Sequence, residues 1–334
     1  MRKINGVPIE ASTKISALSG GEVLKWDNAN TQMAWEDQDG SSYEAPAPAW
    51  VGDRGVWAGG NGNYANIIGY SSISARSNVV DFGNMSSYKN YPGACSNGSR
   101  GVIAGGYWDG QSSSPQGTVN EIDYITIAST GNATDFGNCL DDQIHQGCIS
   151  NDTRGLFAGG QESSAPNHDT IEYVTMASTG NSTDFGNLST ATYDVMAVNN
   201  ATRAIFGGGR TNINTIEYVT IATPGNAVDF GDLTLGREGG SGVSDSFRGI
   251  FGGDSTTIDY ITMSTLGNAT DWGDFSSSRT GGQAVGACSD GTYGVWGGMG
   301  SGDMDYITIQ TLGSAADYAD MDVPRAGCEA LAGD

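Results

Sequence analysis

The chain has 334 residues and a formal net charge of -23, with 15 lysines and arginines against 38 aspartates and glutamates. Such an acidic chain is repelled by phosphate backbones and anionic lipid headgroups, so we expect no nucleic-acid partner and no binding to anionic membranes. Its 52 glycines and 37% hydrophobic residues would also suit a disordered chain, but the regular repeats described below exclude that reading.

The N-terminal segment, residues 1–43, precedes the repeats and is predicted to serve attachment or oligomerisation. It lacks the apolar stretch of a secretion signal, and no apolar run anywhere in the chain is long enough to span a bilayer. We therefore expect the chain to fold in the cytosol and not to insert into a membrane.

Residues 15–36 show two short apolar segments separated by an Asx-rich turn. The residues that form the pattern are Leu18, Gly21, Val23, Leu24, Trp26, Asp27, Asn28 and Trp35. The pattern resembles a short module of phage fibre and appendage proteins, which implies a hairpin with two aromatic residues on one face. The resemblance gives candidate residues for docking onto other virion proteins: Val23, Leu24, Trp26 and Trp35. The alternative is that the two tryptophans belong to a closing blade of the fold described next.

Six copies of a repeat occupy the rest of the chain. A short apolar strand ending in glycines recurs, as in RGVWAGG from Arg54 and RGLFAGG from Arg154. A second strand follows with a tyrosine at position 70, 124, 173, 218, 260 or 306. Eleven residues after each tyrosine stands an aspartate followed by an aromatic residue, first Asp81 and Phe82. Constant offsets in six copies indicate one repeated structural unit.

Each unit is predicted to contain four short antiparallel strands, called a, b, c and d. Strands b to d are rich in Val, Ile, Tyr and Thr, and Gly-Asn pairs between c and d favour tight hairpins. Such four-stranded units are the blades of a propeller, whose neighbours bury each other's faces. We expect the c-strand tyrosine and the d-strand aromatic residue to pack between blades, and the glycines after strand b to let blades crowd near the axis. The predicted fold is an all-β propeller of six blades over residues 44–334.

This repeat, with Gly-Gly, then Asp/Glu-Tyr and a later aromatic residue, resembles the kelch repeat. The resemblance covers residues 44–334 and implies a propeller that binds other molecules, without naming a ligand. Glycine-rich copies such as DYITIASTGNATDFG also resemble repeats in structural proteins of marine and freshwater phages.

The last residues, PRAGCEALAGD, have the pattern of an a strand with no b strand after it. We expect this strand to pair with the first b strand, Arg54–Gly60, and to close a ring of six blades. The alternative is a ring of seven, with the N-terminal segment completing a blade, because Trp35 precedes Arg54 by 19 residues and Phe82 precedes Arg100 by 18.

Residues that could support catalysis are few. The two histidines, His145 and His168, fall in different repeats, and neither a nucleophile with a base nor a set of zinc or copper ligands is evident. Cys148 follows His145 by three residues, a spacing that on a strand directs side chains to opposite faces. We expect no enzyme activity, no cofactor and no metal. Paired carboxylates for glycoside hydrolysis stay open as an alternative because acids are plentiful.

Two further sets of residues recur. Four of the five cysteines share one strand position where neighbouring copies carry Ala or Val, which favours small buried apolar residues over a metal site or disulfides: Cys95, Cys148, Cys288 and Cys328, with Cys139 elsewhere. The acid before each tyrosine is predicted to accept hydrogen bonds from neighbouring turns or from the repeated arginine, a calcium ring being the alternative: Asp123, Glu172, Glu217, Asp259 and Asp305.

The b–c loops vary most in length, and in a four-stranded blade they share one face with the d–a loops. That face gathers candidate ligand- or receptor-binding residues: Tyr107, Trp108, His168, Tyr88, Tyr91, His145 and Tyr193. Aromatic residues beside Asn, Gln and Asp suit recognition of carbohydrate or protein. The alternative is that they pack against their own loops.

Together the resemblances imply a phage virion protein, a tail fibre or similar appendage that forms homo-oligomers. Its propeller is expected to bind a glycan or protein on the host surface, and residues 1–43 are expected to bind other virion proteins. The alternatives are a virion decoration or connector protein and, more remotely, a glycan-processing enzyme.

Overall fold

The structure is a computed structural model that describes two compact units, Met1–Pro46 and Ala47–Asp334. It covers the backbone of four short strands within residues 3–36 and, in full, residues 51–61, 65–108, 117–162, 166–276, 285–298 and 302–334. Regular secondary structure in these ranges consists of strands. None of the described residues belongs to a helix long and apolar enough to cross a membrane.

The first unit contains β1 (Lys3–Ile4), β2 (Val7–Pro8), β3 (Val23–Asp27) and β4 (Gln32–Glu36). Strands β3 and β4 form an antiparallel hairpin with Leu24 opposite Trp35 and Trp26 opposite Met33. The hairpin predicted for this segment is therefore confirmed. The side chains of the candidate docking residues lie outside the described part, and the attachment role of residues 1–43 stays a prediction.

The second unit is built from blades. Blade 1 begins with β5 (Arg54–Gly59), β6 (Ile67–Ser72) and β7 (Val80–Asn84). Blade 2 contains β8 (Gly93–Ser96), β9 (Arg100–Ala104), β12 (Glu121–Thr126) and β13 (Thr134–Asn138), and its b–c loop contains the pair β10 (Tyr107–Trp108) and β11 (Gly117–Thr118). Blade 3 contains β14 (Gly147–Ser150), β15 (Arg154–Ala158), β16 (Thr170–Thr175) and β17 (Thr183–Asn187).

The remaining blades follow the same pattern. Blade 4 contains β18 (Met196–Asn199), β19 (Arg203–Gly207), β20 (Thr215–Thr220) and β21 (Val228–Asp232). Blade 5 contains β22 (Ser241–Ser244), β23 (Arg248–Gly252), β24 (Thr257–Thr262) and β25 (Thr270–Asp274). Blade 6 contains β26 (Gly286–Ser289), β27 (Tyr293–Gly297), β28 (Asp303–Thr308) and β29 (Ala316–Asp320), and the last strand is β30 (Cys328–Gly333).

Each blade is a four-stranded antiparallel sheet in which the strands lie in the order a, b, c, d. In blade 1, strand a comes from the other end of the sequence, because β30 pairs with β5 and sets Ala330 opposite Trp57. The predicted closure and the six-bladed propeller are confirmed. The seven-bladed alternative is wrong because β30 already completes the first sheet.

The antiparallel order fixes two ends of the propeller. The b–c and d–a loops lie at one end, which we call the loop face. The a–b and c–d turns lie at the other, which we call the turn face. The propeller begins at the turn face, since the backbone nitrogen of Asp53 donates a 2.9 Å hydrogen bond to the side chain of Asp334, just after strand β30.

Buried apolar side chains in the described ranges form six clusters, one at each junction between blades. At the junction of blades 2 and 3, Phe136 of strand d joins Phe157 and Val174 of the next blade, and Tyr124 of strand c is partly buried against them. Each buried Phe or Val side chain stabilises the fold by about 1.5–3 kcal/mol. The prediction that both aromatic positions pack between blades is confirmed.

The repeated arginine at the start of strand b joins two blades. In blade 3 the Arg154 guanidinium lies 4.7 Å from the centre of the Tyr173 ring, a cation–π contact. It also donates a 2.7 Å hydrogen bond to the carbonyl oxygen of Ile221 in blade 4. The same pair of contacts occurs in blades 1, 2, 4 and 5. The arginine therefore contacts the tyrosine and does not contact the acid beside it, so that part of the prediction is wrong.

The acids before the tyrosines accept hydrogen bonds from the d–a loop that enters the same blade. Asp123 accepts a 2.6 Å bond from the Ser86 hydroxyl and lies 3.2 Å from the Lys89 ammonium, both charges being buried. Asp259 accepts from the Thr234 hydroxyl at 2.5 Å and pairs with buried Arg237. Glu172, Glu217 and Asp305 likewise accept bonds from residues of that loop. The structural role predicted for these acids, through neighbouring turns, is confirmed.

The six a strands surround the axis, and small residues let them approach one another. A Cβ added to Gly242 of blade 5 would collide with the carbonyl oxygen of Ala197 in blade 4. A Cβ on Gly155, at the start of strand b, would lie 2.9 Å from Cys95 Sγ in the preceding blade. Glycines such as Gly155 and Gly242 therefore allow the blades to crowd near the axis, and the prediction that assigned this role to the glycines after strand b is wrong. The glycines after strand b contact the d–a loops instead, as Gly106 does with Lys89.

A belt of hydrogen bonds links the a strands near the turn face. The Ser150 hydroxyl donates to the Ser96 carbonyl at 2.5 Å, the Asn199 amide to the Ser150 carbonyl at 2.5 Å, and the Ser289 hydroxyl to the Ser244 carbonyl at 3.1 Å. Two further contacts continue the belt, from Ser96 to the Ala332 carbonyl and from Ser244 to the Asn199 side chain. Blade 1 carries Ala332 at the donor position, so the belt has no side-chain donor from blade 1 to blade 6.

All five cysteines are free thiols. Four lie on a strands as predicted, but they occupy three different register positions. Cys95 and Cys288 are opposite Val102 and Val295, whereas Cys148 is opposite Phe157 and Cys328 is opposite Gly59. Burial raises the pKa of the Cys95 thiol to about 12 and that of Cys328 to about 11, so both are protonated and unreactive at neutral pH.

Candidate functional site

The loop face of blades 2 to 4 carries a row of polar and aromatic side chains near the axis. The Tyr91 and His145 rings are stacked with their centres 4.2 Å apart and their planes at 21°. The Tyr193 ring lies 5.7 Å from His145 at 57°. Asp194 Oδ1 lies 2.5 Å from His145 Nδ1. We call these four residues, Tyr91, His145, Tyr193 and Asp194, the axial row.

The backbone of the axial row is unusual. Tyr91, His145 and Asp194 have φ angles of 54°, 59° and 58°, in the left-handed region that favours glycine. Each stands two residues before strand a, and the equivalent positions of blades 1 and 5 hold Gly327 and Gly239. A non-glycine residue in such a conformation costs about 1–3 kcal/mol.

Backbone hydrogen bonds connect these left-handed residues from blade to blade. The nitrogen of Tyr91 donates to the Gly327 carbonyl at 2.8 Å, His145 to the Tyr91 carbonyl at 3.2 Å, and Asp194 to the His145 carbonyl at 2.8 Å. The left-handed residues of successive blades are therefore joined to one another around the axis. Three successive blades nevertheless present large side chains where glycine fits best.

The other predicted site residues surround the axial row without joining its stack. The Tyr88 and Trp108 rings are 6.5 Å apart. Tyr107 exchanges backbone hydrogen bonds of 2.7 and 3.0 Å with Asn90. The His168 carbonyl accepts a 3.0 Å bond from the Thr192 nitrogen, next to Tyr193. All seven predicted residues thus lie in loops of blades 2 to 4 and are half-buried. Their role in binding stays a prediction.

Buried polar atoms without hydrogen bonds are concentrated in the same sector. Of eight such side-chain atoms in the described ranges, six belong to loops that enter or lie within blades 2 to 4: Asn90 Oδ1, Trp108 Nε1, His145 Nδ1, Gln146 Oε1, His168 Nε2 and Asp194 Oδ1. The contact between His145 and Asp194 is short but does not have hydrogen-bond geometry. A buried polar atom left unpaired costs about 1–3 kcal/mol, so each needs an explanation.

One edge of the axial row is charged. The Arg210 guanidinium lies 5.4 Å from the centre of the Tyr193 ring and 3.0 Å from the Glu238 carboxylate. Arg210 is 46% exposed, so the ion pair contributes little stability and mainly holds the side chain over the tyrosine. The negative charge of Glu238 balances the positive charge of Arg210, so this pair adds no net charge to the row.

A cavity of about 80 Å³ lies along the axis between the a strands. Glu329 and Cys148 line it, and Val51 and the hydroxyl belt are also among its lining residues. Burial raises the pKa of the Glu329 carboxyl well above its usual range, and the charge of Asp194 raises it further. The Tyr91 hydroxyl responds similarly, because burial and then Asp194 raise its pKa. Both shifts favour the protonated, uncharged forms of Glu329 and Tyr91 beside Asp194.

The structure places His145 and Cys148 in different parts of blade 3. His145 precedes strand β14, so the predicted strand geometry relating it to Cys148 does not apply. Cys148 lies on that strand and lines the cavity, where burial raises its pKa well above the usual range. Among the described residues no three His, Cys, Asp or Glu side chains are grouped so that they could hold a metal ion.

Sequence reasoning identified Tyr91, His145 and Tyr193 but missed Asp194, Asn90 and Gln146. A signal for Asp194 was present, because aligning the repeats by the register of strand a with strand b places Asp194 with Gly239 and Gly327. The unpaired amide oxygens of Asn90 and Gln146 gave no such signal. Whether an amide oxygen finds a hydrogen-bond donor depends on the neighbouring loops, which lie far away in sequence.

The fold and the site define a six-bladed β-propeller with a polar and aromatic loop face. No protein-family model and no curated protein matches this chain.

Proposed function

We propose that this protein is a phage virion protein, a tail fibre or similar appendage, and that its kelch-like propeller binds the host cell surface through the loop face of blades 2 to 4. The observation that carries the binding role is the axial row. Strained, half-buried aromatic residues and unpaired polar atoms occur together there, on loops held by a rigid ring.

The direction of the chain supports this arrangement. The propeller begins at the turn face, where Asp53 contacts Asp334, and the axial row lies at the opposite end of the blades. The chain therefore enters the propeller at the end opposite the axial row. The phage assignment rests on the resemblance of residues 15–36 and of the repeats to phage appendage proteins.

Binding of the full chain to bacterial cells tests the proposal. We expect fluorescently labelled protein to bind a restricted set of strains and to compete with adsorption of the phage that carries it. Gold-labelled antibody should mark an exposed position on the particle. Binding to no strain, or a position between virion subunits, would contradict the proposal.

A second candidate is a virion decoration or connector protein, and one observation favours it. Phe247 on the turn face is 65% exposed, where Thr153, Thr202 and Thr292 occupy the equivalent turns. Leu266 and Leu312 in the c–d turns of blades 5 and 6 are 57% and 54% exposed. If this face binds another subunit, replacing Phe247 by Thr should lower incorporation into particles and leave cell binding unchanged.

A further inference from the structure

We propose that the axial row, with Asn90 and Gln146 beside it, is a subsite for an uncharged glycan. This inference rests on the proposed function and specifies the ligand of the same face. It assigns binding roles to Asp194, Asn90 and Gln146.

The first argument is conformational. Glycine occupies the left-handed position in blades 1 and 5 and would relieve the strain in blades 2 to 4. Tyr91, His145 and Asp194 instead carry side chains that contact one another and no buried apolar cluster in the described ranges. Their side chains therefore bring a conformational cost without adding to the core.

The second argument concerns unpaired polar groups. Asn90 and Gln146 are 6% and 4% exposed, and their amide oxygens have no hydrogen-bond partner within the described structure. Both residues are adjacent in sequence to members of the axial row, Tyr91 and His145. Sugar hydroxyls are suitable donors for such acceptors, and an aromatic ring beside them suits the apolar face of a sugar.

The third argument is electrostatic and selects the charge of the ligand. Asp194 and Glu329 place carboxyl groups at the axis, and Glu238 matches the charge of Arg210. Lys89, the lysine whose side chain the structure describes, is fully buried and paired with Asp123. An anionic sugar would face the Asp194 carboxylate, and the Arg210 guanidinium beside the row is already paired with Glu238, whereas a neutral sugar can donate hydroxyl hydrogen bonds to the carboxyl oxygens.

Glycine substitution provides the test, because glycine is the residue that the fold itself uses at this position. The full chain and the triple variant Tyr91→Gly, His145→Gly, Asp194→Gly are titrated onto an array of neutral hexose and N-acetylhexosamine oligosaccharides. Matched glycans that contain uronic or sialic acid are included. Thermal unfolding is measured for each protein, and the single variant His145→Gly covers the case in which the triple variant fails to fold.

We expect the wild-type protein to bind a neutral glycan. Its affinity for the acidic counterpart of that glycan should be at least tenfold lower. The triple variant should lose tenfold or more in affinity with an unfolding temperature near that of wild type. Phe247→Thr, on the turn face, should bind as wild type does.

Three results would overturn the inference. They are a preference for acidic glycans, equal binding by wild type and the glycine variants, and capture of a host protein in place of any glycan. If host cells are bound in such a case, the proposed function survives and this subsite does not. Absence of binding to both cells and glycans would overturn both.

Discussion

The Arg76 guanidinium lies 4.7 Å from the centre of the Tyr306 ring, although the two residues belong to blades 1 and 6. In blades 1 to 5 the c-strand tyrosine receives this contact within its own blade, from the arginine that begins strand b. Blade 6 carries Tyr293 at that position. At the junction that closes the ring, the cation is therefore supplied from the neighbouring blade, by the c–d turn of blade 1.

Removing this contact should weaken the closing junction. Arg76→Ala is expected to lower the free energy of unfolding by about 0.5–1 kcal/mol, because the contact is exposed to solvent. Adding Tyr293→Arg should restore the arrangement of the other blades and recover most of the loss. Denaturant unfolding of the two single variants and the double variant measures the coupling. Strictly additive effects would show that the two sites are independent.

The gap in the hydroxyl belt gives a stabilising prediction. Ala332 occupies the position that carries a donor in the other five blades, so Ala332→Ser should donate to the Ser289 carbonyl. One added intramolecular hydrogen bond contributes about 0.5–1.5 kcal/mol. We expect a small rise in the unfolding temperature by calorimetry. Ser150→Ala removes an existing bond of the belt and should lower the unfolding temperature. A lower unfolding temperature in both variants would contradict the stabilising role of the belt.

The packing of the a strands predicts a large difference in stability between alanine substitutions at two glycines, one in strand a and one in a c–d turn. Gly242→Ala would place a methyl group against the Ala197 carbonyl and is expected to cost about 1–3 kcal/mol. Gly225 in the c–d turn of blade 4 has no atom within 4 Å of an added Cβ, and Gly225→Ala should be neutral or stabilising. Equal stabilities of the two variants in urea would refute the close approach of strands at the axis.

The half-buried acid that lines the cavity, Glu329, gives a pH dependence with a definite sign. The pKa of Glu329 is raised in the folded state above its ordinary value of 4.5, so the stability linked to this group is complete below that value. It is lost as the pH rises through the folded-state pKa. Glu329→Gln should therefore stabilise the protein at pH 8, and the gain should shrink towards pH 4. A gain that is independent of pH would contradict the assignment.

Asp53 provides a control of opposite sign. Burial tends to raise its pKa, but hydrogen bonds from Ser74 and Ser72 outweigh this and lower it. The stability that Asp53 contributes to the folded state is present at pH values above the ordinary carboxyl pKa. It is lost as the pH falls through the lowered pKa of the folded state. Asp53→Asn should therefore destabilise the protein near neutral pH and have little effect in strong acid.

The sequence predicted the blades, their number and the closing strand because these depend on period and on apolar pattern. Constant spacing from Tyr70 to Phe82 and its equivalents is a local property of each repeat. The contact of Arg154 with Ile221 joins residues 67 positions apart, and only the ring brings them together. The left-handed residues were hidden for the same reason, since their backbone nitrogens bond to the preceding blade and nothing in their own repeat marks the φ near 55°.

Hydrogen–deuterium exchange of the full chain, with and without an envelope fraction from a bound host strain, tests the central claim most directly. We predict slower exchange on binding in the d–a loops, residues 88–91, 143–146 and 192–194, with no change in the a–b turns, residues 97–99, 151–153 and 200–202. Protection of the turns, with the d–a loops unchanged, would show that recognition occurs at the opposite face and would contradict the account.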